Sequence, residues 1–301
     1  MKTAKKIWMI ITVCLIIIGA IICFASIKSL DFDFAKFNTA EFKTKTYTVK
    51  EDFDNISILG SECDISFKLA DDGVCKIECS EGESLSHFIE VKDNRLVIER
   101  IDEHKWYQHI GVYFGEIHLT VYLPDYSYDS LIIASYSGDV EISKDFAFNN
   151  AEIITSSGKI NFTARVSKEL KLGSSSGEIY ASEVMPKELN VYSSSGDISL
   201  DNIECEKLVA KSASGEIKLN DILVSGDLEA KSTSGDIGLE GCDAQTLYLQ
   251  SNSGDIDGRL LSEKTFDATT TSGEVLVPDG ASGGKCRIVT TSGDIEFELK
   301  K

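Results

Sequence analysis

A block of serine, glycine and an acidic residue recurs through the chain, and its regular period constrains the fold before any local pattern does. Nine copies occur, and successive copies lie 19 or 20 residues apart. A further copy at 225–227 falls out of phase and is interpreted as chance. The candidate corner glycines of the nine copies are Gly138, Gly158, Gly177, Gly196, Gly215, Gly235, Gly254, Gly273 and Gly293.

Apolar residues alternate with polar ones before each block, as in Leu189, Val191 and Ser193, and alternation resumes after it from Ile198. Strict alternation predicts a strand with one buried face. One repeat is too short to bury that face by itself, whereas stacked repeats can bury it against one another. The sequence therefore predicts an all-β fold, a parallel β-solenoid (β-helix) of 19–20-residue coils. An antiparallel β-sandwich is the alternative, although it would not require nine near-identical corners.

The chain is expected to turn sharply at the block. The step from Ser195 to Ile198 is odd, so a straight strand would send Ile198 to the wrong face. We therefore place a corner at Gly196 and Asp197, with the small side chains of Ser193 and Ser195 pointing inward. Glycine supplies either a positive φ or the close approach that such a corner needs.

The residue after the glycine is acidic in eight of the nine copies, with Lys159 as the exception. Stacking would bring these like charges close together, and solvation with hydrogen bonds from corner amides is the simpler means of compensation. Carboxylates in a row are also ligands suited to Ca²⁺, but no repeat supplies the further acids of a dedicated calcium loop. Any cation binding by this row should therefore be weak and distributed. The row consists of Glu178, Asp197, Glu216, Asp236, Asp255, Glu274 and Asp294.

The N-terminus predicts one transmembrane helix ahead of the solenoid. Residues 7–27 form an uncharged run of 21 residues, enough to span a hydrocarbon core of about 30 Å. Three lysines precede the run, which places the N-terminus in the cytoplasm and the C-terminal bulk outside it. A cleaved signal peptide is the alternative. We expect a single-pass protein of the cell membrane that contacts the lipid bilayer through residues 7–27.

The chain divides into four predicted parts. They are a cytoplasmic tail at 1–6, a transmembrane anchor at 7–27, a juxtamembrane segment with an irregular β part at 28–130, and regular solenoid repeats at 131–301. Within the third part, the stretch around Cys63 and Asp64 has the pattern of a degenerate coil. At the far end, Glu296, Glu298, Lys300 and Lys301 are expected to guard the open edge with charge.

Six of the eight cysteines lie beyond the predicted anchor, where disulfides are permitted. Cys242 and Cys286 occupy slots that are aliphatic in sister repeats, so they are interpreted as buried substitutes for aliphatic residues. Cys75 and Cys79 share one face of a predicted strand, and a bond from either to Cys63 is left open.

Composition and residue placement favour a protein that is not an enzyme. The 49 acidic and 30 basic residues leave a formal net charge of −19, which repels nucleic acid and excludes it as a partner. All four histidines precede the regular coils, and the outward strip beside the corner is small and polar. No catalytic residue, cofactor or dedicated metal site is expected.

One irregular segment, residues 102–118, is rich in histidine and aromatic side chains. It includes His104, Trp106, Tyr107, His109 and His118. Such a segment could bind a metal or stack on a sugar. A loop whose aromatic rings pack on the core is the simpler interpretation.

Three features carry a resemblance to a known family. They are the rows of the form L.V.SSSGDI.L, the VYLP stretch before the first SGD, and the rung I.ILGS.CDI.F near the start. Together they resemble the putative adhesin family of bacterial β-strand-repeat proteins, a domain of unknown function, over roughly residues 45 to 299. The resemblance implies a β-solenoid of the cell envelope, sometimes associated with envelope-stress systems. It supplies no catalytic residue.

The combined expectation is a membrane-anchored extracytoplasmic solenoid that serves as a non-catalytic binding, adhesion, structural or sensing module. Its expected partner is a cell-wall polymer or an envelope protein. The alternative is a carbohydrate-active enzyme on the same scaffold, acting on envelope polysaccharide, because β-helices also carry such sites.

Overall fold

The computed structural model describes residues 12–13, 15–21, 24, 28, 42–82, 85–102, 117–279 and 282–300. Residues 12–13, 15–21, 24 and 28 are helical. In this described part of the chain, no helix is long and apolar enough to cross a membrane. The anchor at 7–27 stays a prediction, and the tail at 1–6 lies outside the described residues.

The described residues beyond position 42 form β-strands that join into one continuous sheet system. The strands that come before the regular repeats are β1 (Lys43–Val49), β2 (Asn55–Ser61), β3 (Asp64–Leu69), β4 (Cys75–Glu81), β5 (Leu85–Lys92), β6 (Arg95–Asp102) and β7 (His118–Leu123).

The repeats supply the remaining strands. The first six are β8 (Ser127–Ser135), β9 (Val140–Ile142), β10 (Ala147–Thr155), β11 (Ile160–Phe162), β12 (Arg165–Ser174) and β13 (Ile179–Ser182). The next six are β14 (Glu188–Ser193), β15 (Ile198–Cys205), β16 (Lys207–Ser212), β17 (Ile217–Lys231), β18 (Ile237–Gln250) and β19 (Ile256–Leu260). The last four are β20 (Lys264–Thr269), β21 (Val275–Leu276), β22 (Gly284–Val289) and β23 (Ile295–Leu299).

A regular coil contains three strand segments separated by corners. In one coil, residues 207–212 precede the glycine corner, residues 217–220 follow it, and residues 222–224 form the third segment. Equivalent segments of successive coils pair in parallel, so that Leu189 lies beside Leu208 and Leu208 beside Leu228. This pairing confirms the predicted β-solenoid and excludes the antiparallel sandwich.

The second corner, between the second and third segments, has left-handed backbone. Its residues Glu183, Asn202, Asp221 and Gly241 have φ values of 57°, 50°, 49° and 68°. They are also spaced by 19, 19 and 20 residues. Asn, Asp and Gly tolerate this conformation better than most residues, so their recurrence at a fixed period was a readable signal that sequence reasoning missed.

The glycines of the first corner stack directly on one another. A Cβ atom on Gly196 would lie 2.0 Å from the carbonyl oxygen of Gly177, and one on Gly215 would lie 2.1 Å from that of Gly196. Among the nine corner glycines, all of them described, Gly138 alone has a positive φ, 87°. Close approach of neighbouring coils, rather than a positive φ, therefore requires glycine at positions 196 and 215.

Of the two serines predicted to point inward at the corner, only the first does so. Ser193 is buried, whereas Ser195 is exposed, so the prediction that Ser195 points inward is wrong. The chain already turns after Ser193, whose own buried hydroxyl has no hydrogen-bond partner among the described residues. In equivalent coils, Gly177 N–H donates to Ser174 Oγ at 2.8 Å.

The order of coils in the stack differs from their order along the chain at both ends. The last two strands, β22 and β23, lie between earlier ones: β22 pairs with β18 and β20, and β23 pairs with β19 and β21. At the other end, β2 pairs with β6 and β8, and β3 pairs with β7 and β9. The coil nearest each chain terminus is therefore inserted one layer inside the stack.

This insertion corrects the expectation for the open edge. Glu296 and Glu298 lie on β23, which has a strand on each side, and Lys300 follows it. The outermost coil is β20–β21 instead. β23 is suited to the interior because Ile295 and Phe297 alternate with the acids and are buried.

The cysteines of the described part are all buried and free. The bond left open between Cys63 and Cys75 or Cys79 is not formed. Cys286 lies beside Leu247 in the core, as its aliphatic slot predicted, and Cys242 is also fully buried. Burial raises the pKa of the thiols of Cys242 and Cys286 to about 12, so they are inert. Cys14 and Cys23 lie outside the described residues.

The corner geometry predicts a large difference between two neighbouring substitutions. Gly196→Val should lower the free energy of unfolding by more than about 1 kcal/mol, because its side chain would collide with the carbonyl of Gly177. Ser194→Ala, on the exposed strip, should change it by less than about 0.5 kcal/mol. Urea unfolding of both variants measures the difference, and equal effects would contradict the register.

Candidate functional site

The aspartates of the acidic row cap the backbone of the next coil. Glu216 N–H donates to Asp197 Oδ1 at 2.8 Å. The same contact links the coil that contains Asp294 to the coils on both sides of it. Asp294 N–H donates to Asp255 Oδ1 at 2.8 Å, and Glu274 N–H donates to Asp294 Oδ1 at 2.7 Å. Each such hydrogen bond satisfies a corner amide and uses one carboxylate oxygen, which is the simpler of the two roles predicted for the row.

The row begins earlier than the repeats indicated. Asp139 N–H donates to Asp64 Oδ1, and Lys159 N–H donates to Asp139 Oδ1, each at 2.8 Å. Lys159 then compensates the next acid, since its Nζ lies 2.6 Å from Glu178 Oε2. Sequence reasoning placed Asp64 in a degenerate coil but not in this row, because 75 residues separate it from Asp139.

We expect Asp197→Ala to destabilise the protein by about 1 kcal/mol, because the amide of Glu216 loses its acceptor. Asp197→Asn keeps an acceptor oxygen and should unfold close to wild type. Chemical denaturation of the two variants checks this, and equal loss in both would assign the effect to charge instead.

Weak cation binding by the same row stays a prediction. If it occurs, the melting temperature should be higher in millimolar Ca²⁺ than in NaCl of matched ionic strength.

A groove of about 740 Å³ runs along the third strand segments of the coils. Its lining includes Met185, Glu204, Leu223, Val224, Ala244 and Lys264, and we call it the lateral groove. Two large apolar side chains are exposed in this groove: Met185 is 62% exposed and Leu223 is 41% exposed. Val224 and Ala244 are buried beneath them. The groove is thus an apolar strip with a charged rim.

One end of the lateral groove contains a buried lysine. Lys264 is only 3% exposed, and its Nζ forms an ion pair with Asp243. The same Nζ donates to the Ala244 carbonyl at 2.9 Å and to Ser262 Oγ at 2.8 Å. Because its donors are used internally, Lys264 fixes the shape of the groove more than it offers charge to a ligand.

The out-of-phase copy of the block belongs to this groove. Ser225 lines it, and the pairing of β17 with β18 shifts register between Val224 and Asp227. A Cβ atom on Gly226 would lie 2.7 Å from the carbonyl oxygen of Glu206, so this glycine also serves a close approach between coils. Residues 225–227 therefore mark a register shift within β17, and Gly226 is not one of the stacked corner glycines.

A second concave surface, of about 560 Å³, lies on the second strand segments near the C-terminal end of the stack. We call it the acidic hollow; its carboxylates include Glu240, Asp255, Asp257, Asp294, Glu296 and Glu298. Nothing lies within 4 Å of the Cβ position of Gly238, so no side chain fills this part of the hollow. Arg259 compensates part of the charge through ion pairs with Glu240 and Glu298.

Asp257 is the carboxyl group of the hollow with a perturbed pKa. Desolvation raises it first, and the carboxylates of Asp236, Asp255, Glu296 and Glu216 raise it further. A carboxyl held in this way releases its proton less readily than an ordinary aspartate.

We expect Asp257→Asn to raise the melting temperature at pH 7, because the variant removes a carboxylate that its neighbours repel. Since the folded pKa of Asp257 lies above its unfolded value, the advantage should shrink as the pH falls through the folded pKa and vanish below the unfolded one. Thermal melts from pH 7 to pH 3 check the trend. Asp267→Asn, which loses an exposed ion pair with Arg287, is the control and should bring no gain at pH 7.

Neither concave surface contains a histidine in its described lining. His87 and His118 lie on β5 and β7, away from the regular coils. The stretch containing His104, Trp106, Tyr107 and His109 lies outside the described residues. Sequence reasoning missed both surfaces because they depend on outward side chains of non-adjacent segments.

The stacked coils, the glycine corners and the aspartates that cap corner amides define a β-solenoid built from strand repeats. The chain belongs to the Toastrack DUF4097 family, whose model matches residues 53–241 and 225–301. This membership confirms the resemblance drawn from the repeats. No curated protein matches the sequence.

Solved structures with a similar fold include one from Parabacteroides distasonis described as a putative lipid binding protein. It is 18% identical, with a TM-score of 0.52 over 85% of this chain and 97% of that one. A putative adhesin from Bacteroides fragilis is also 18% identical, with a TM-score of 0.45 over 86% of this chain and 97% of that one. A putative adhesin from Parabacteroides distasonis is 15% identical, with a TM-score of 0.44 over 86% and 98%. At 18% identity, the similarity to the putative lipid binding protein shows a shared fold and nothing more.

Proposed function

We propose that this protein is a membrane-anchored, extracytoplasmic binding module that holds an envelope partner in its lateral groove without chemical turnover. The observation that carries this proposal is the groove itself, in which the large apolar side chains of Met185 and Leu223 are exposed beside charged residues. Exposed apolar surface of this kind, rimmed by polar groups, is typical of interaction sites.

The lining of the groove narrows the chemistry of the partner. Met185 and Leu223 offer aliphatic contact, and the lining in the described part has no aromatic ring on which a sugar could stack. Met side chains adapt to varied apolar shapes. An aliphatic segment of an envelope protein, or an acyl chain, therefore fits better than a bare polysaccharide. The name of the Parabacteroides distasonis structure, a putative lipid binding protein, is in keeping with this chemistry.

The charge of the protein argues for a partner that is not anionic. With a formal net charge of −19, the solenoid is repelled by nucleic acid and by anionic lipid headgroups. A cell-wall polymer thus remains a candidate where it carries cationic or neutral groups. The apolar groove favours the envelope protein over it.

Binding can be tested with the full chain against two preparations, purified cell wall and detergent-solubilised membrane extract. We expect saturable binding in the membrane arm, and Leu223→Glu should weaken it at least about tenfold by placing a charge on the apolar strip. Ile154→Glu is the matched control, because Ile154 is equally an exposed aliphatic residue but lies outside the groove. Absence of saturable binding in both arms, or equal loss in both variants, would overturn the proposal.

The anchor proposal rests on the uncharged run at 7–27 and the lysines before it. We expect the mature chain to keep Met1 and to stay with membranes through a carbonate wash. Protease added from outside the cell should reach residues 31–301. Edman or mass analysis of the mature N-terminus is decisive, since a start near Ser26 would show a cleaved signal peptide.

One observation favours the alternative of a carbohydrate-active enzyme. Asp257, with its raised pKa among other carboxylates, resembles a general acid beside a second carboxylate. Incubation with envelope polysaccharides should then release reducing ends or unsaturated products, and Asp257→Asn should abolish the release. Arg287→Gln, outside the hollow, serves as the control. No release by the wild type would remove this candidate.

A further inference from the structure

A cluster of three different ligand types lies in the N-terminal cap, away from both concave surfaces. Cys79 and Glu81 are on β4 and His87 is on β5, and one potential ligand atom from each lies within 4.8 Å of the others. Cys79 is fully buried and His87 is 8% exposed. The arrangement therefore brings a thiol, a carboxylate and an imidazole together in a largely buried position.

We propose that Cys79, Glu81 and His87 supply three ligands of a site for a divalent transition metal of the zinc class, with water as the fourth ligand. Zinc binds sulfur, nitrogen and carboxylate oxygen at about 2.0–2.3 Å, so three donors around one ion lie roughly 3.3–3.7 Å apart. Separations of up to 4.8 Å need only a small inward movement of side chains to reach this geometry. Ca²⁺ and Mg²⁺ do not suit the site, because they require several oxygen ligands and the cluster provides one carboxylate.

The surroundings of Glu81 are those of an oriented metal ligand. Tyr47 Oη donates to Glu81 Oε1 at 2.7 Å, and His87 N–H donates to the same oxygen at 2.8 Å. Lys45 Nζ lies 3.3 Å from Glu81 Oε2, whereas Glu81 Oε1 lies 3.3 Å from Nδ1 of His87 within the cluster. Metal-binding carboxylates are commonly held by such outer hydrogen bonds.

The position of the cluster gives the metal a mechanical role. β4 pairs antiparallel with both β1 and β7, while β5 pairs antiparallel with β6. β7 and β6 in turn stack on β3 and β2, the inserted N-terminal coil. A metal bound between β4 and β5 would thus link the β1–β4–β7 strands, which lie on β3, to the β5–β6 hairpin, which lies on β2.

The experiment uses the full chain, freed of metal with a chelator and then titrated with Zn²⁺ or Co²⁺. We expect one equivalent of Zn²⁺ by calorimetry, and with Co²⁺ the ultraviolet absorption band of a cobalt–thiolate bond. Cys79→Ser should abolish that band, and His87→Gln and Glu81→Gln should each lower affinity at least about tenfold. Zn²⁺ should also raise the melting temperature of the wild type and not that of His87→Gln.

Cys75→Ser is the matched control, because Cys75 is buried on the same strand but lies outside the cluster. It should keep both the band and the affinity. If Cys79→Ser fails to fold, the His87 and Glu81 variants with native circular dichroism carry the test. Failure of the wild type to bind micromolar Zn²⁺ saturably, or a cobalt band that persists without Cys79, would overturn the proposal. None of these outcomes depends on the lateral groove.

Discussion

The spacing between neighbouring coils at the glycine corner is the constraint on which the rest of the structure depends. At Gly196 the carbonyl of the glycine in the preceding coil occupies the volume that a Cβ atom would need. This contact holds coils at the distance set by backbone hydrogen bonding and keeps the strands on both sides of the corner in register. The aliphatic ladders, the buried serines and the aspartate caps all follow from that register.

Much of this architecture could be predicted because the determinants are local and repeated. A 19- or 20-residue period, alternating apolar residues and a glycine at one phase suffice to predict parallel coils and a corner. The position of the turn was predicted less well, since alternation alone does not show that the chain leaves the strand directly after Ser193 and exposes Ser195. Cys286 was correctly placed in the core because its slot is occupied by leucine in other coils.

The order of coils and the concave surfaces could not be predicted in the same way. Repeats that share one pattern can stack in any order, and nothing local distinguishes β22 from β20 as the neighbour of β18. The lateral groove depends on Met185 and Leu223, outward residues of third segments in different coils. The acidic hollow depends on a missing side chain at Gly238, and the metal-type cluster on the pairing of antiparallel strands.

The interleaved ends change how such a rod would come apart. In a simple repeat array, the terminal unit has one neighbour and unravels first, so fraying proceeds inward from each end. Here β22 and β23 each pair with a strand on both edges, and so do β2 and β3. Until residues 284–299 have been synthesised, β18 and β19 lack the partners that they have in the complete stack. Residues 284–299, which follow the β20–β21 coil along the chain, therefore form an inner layer of the stack, and their loss would remove that layer instead of shortening the tip.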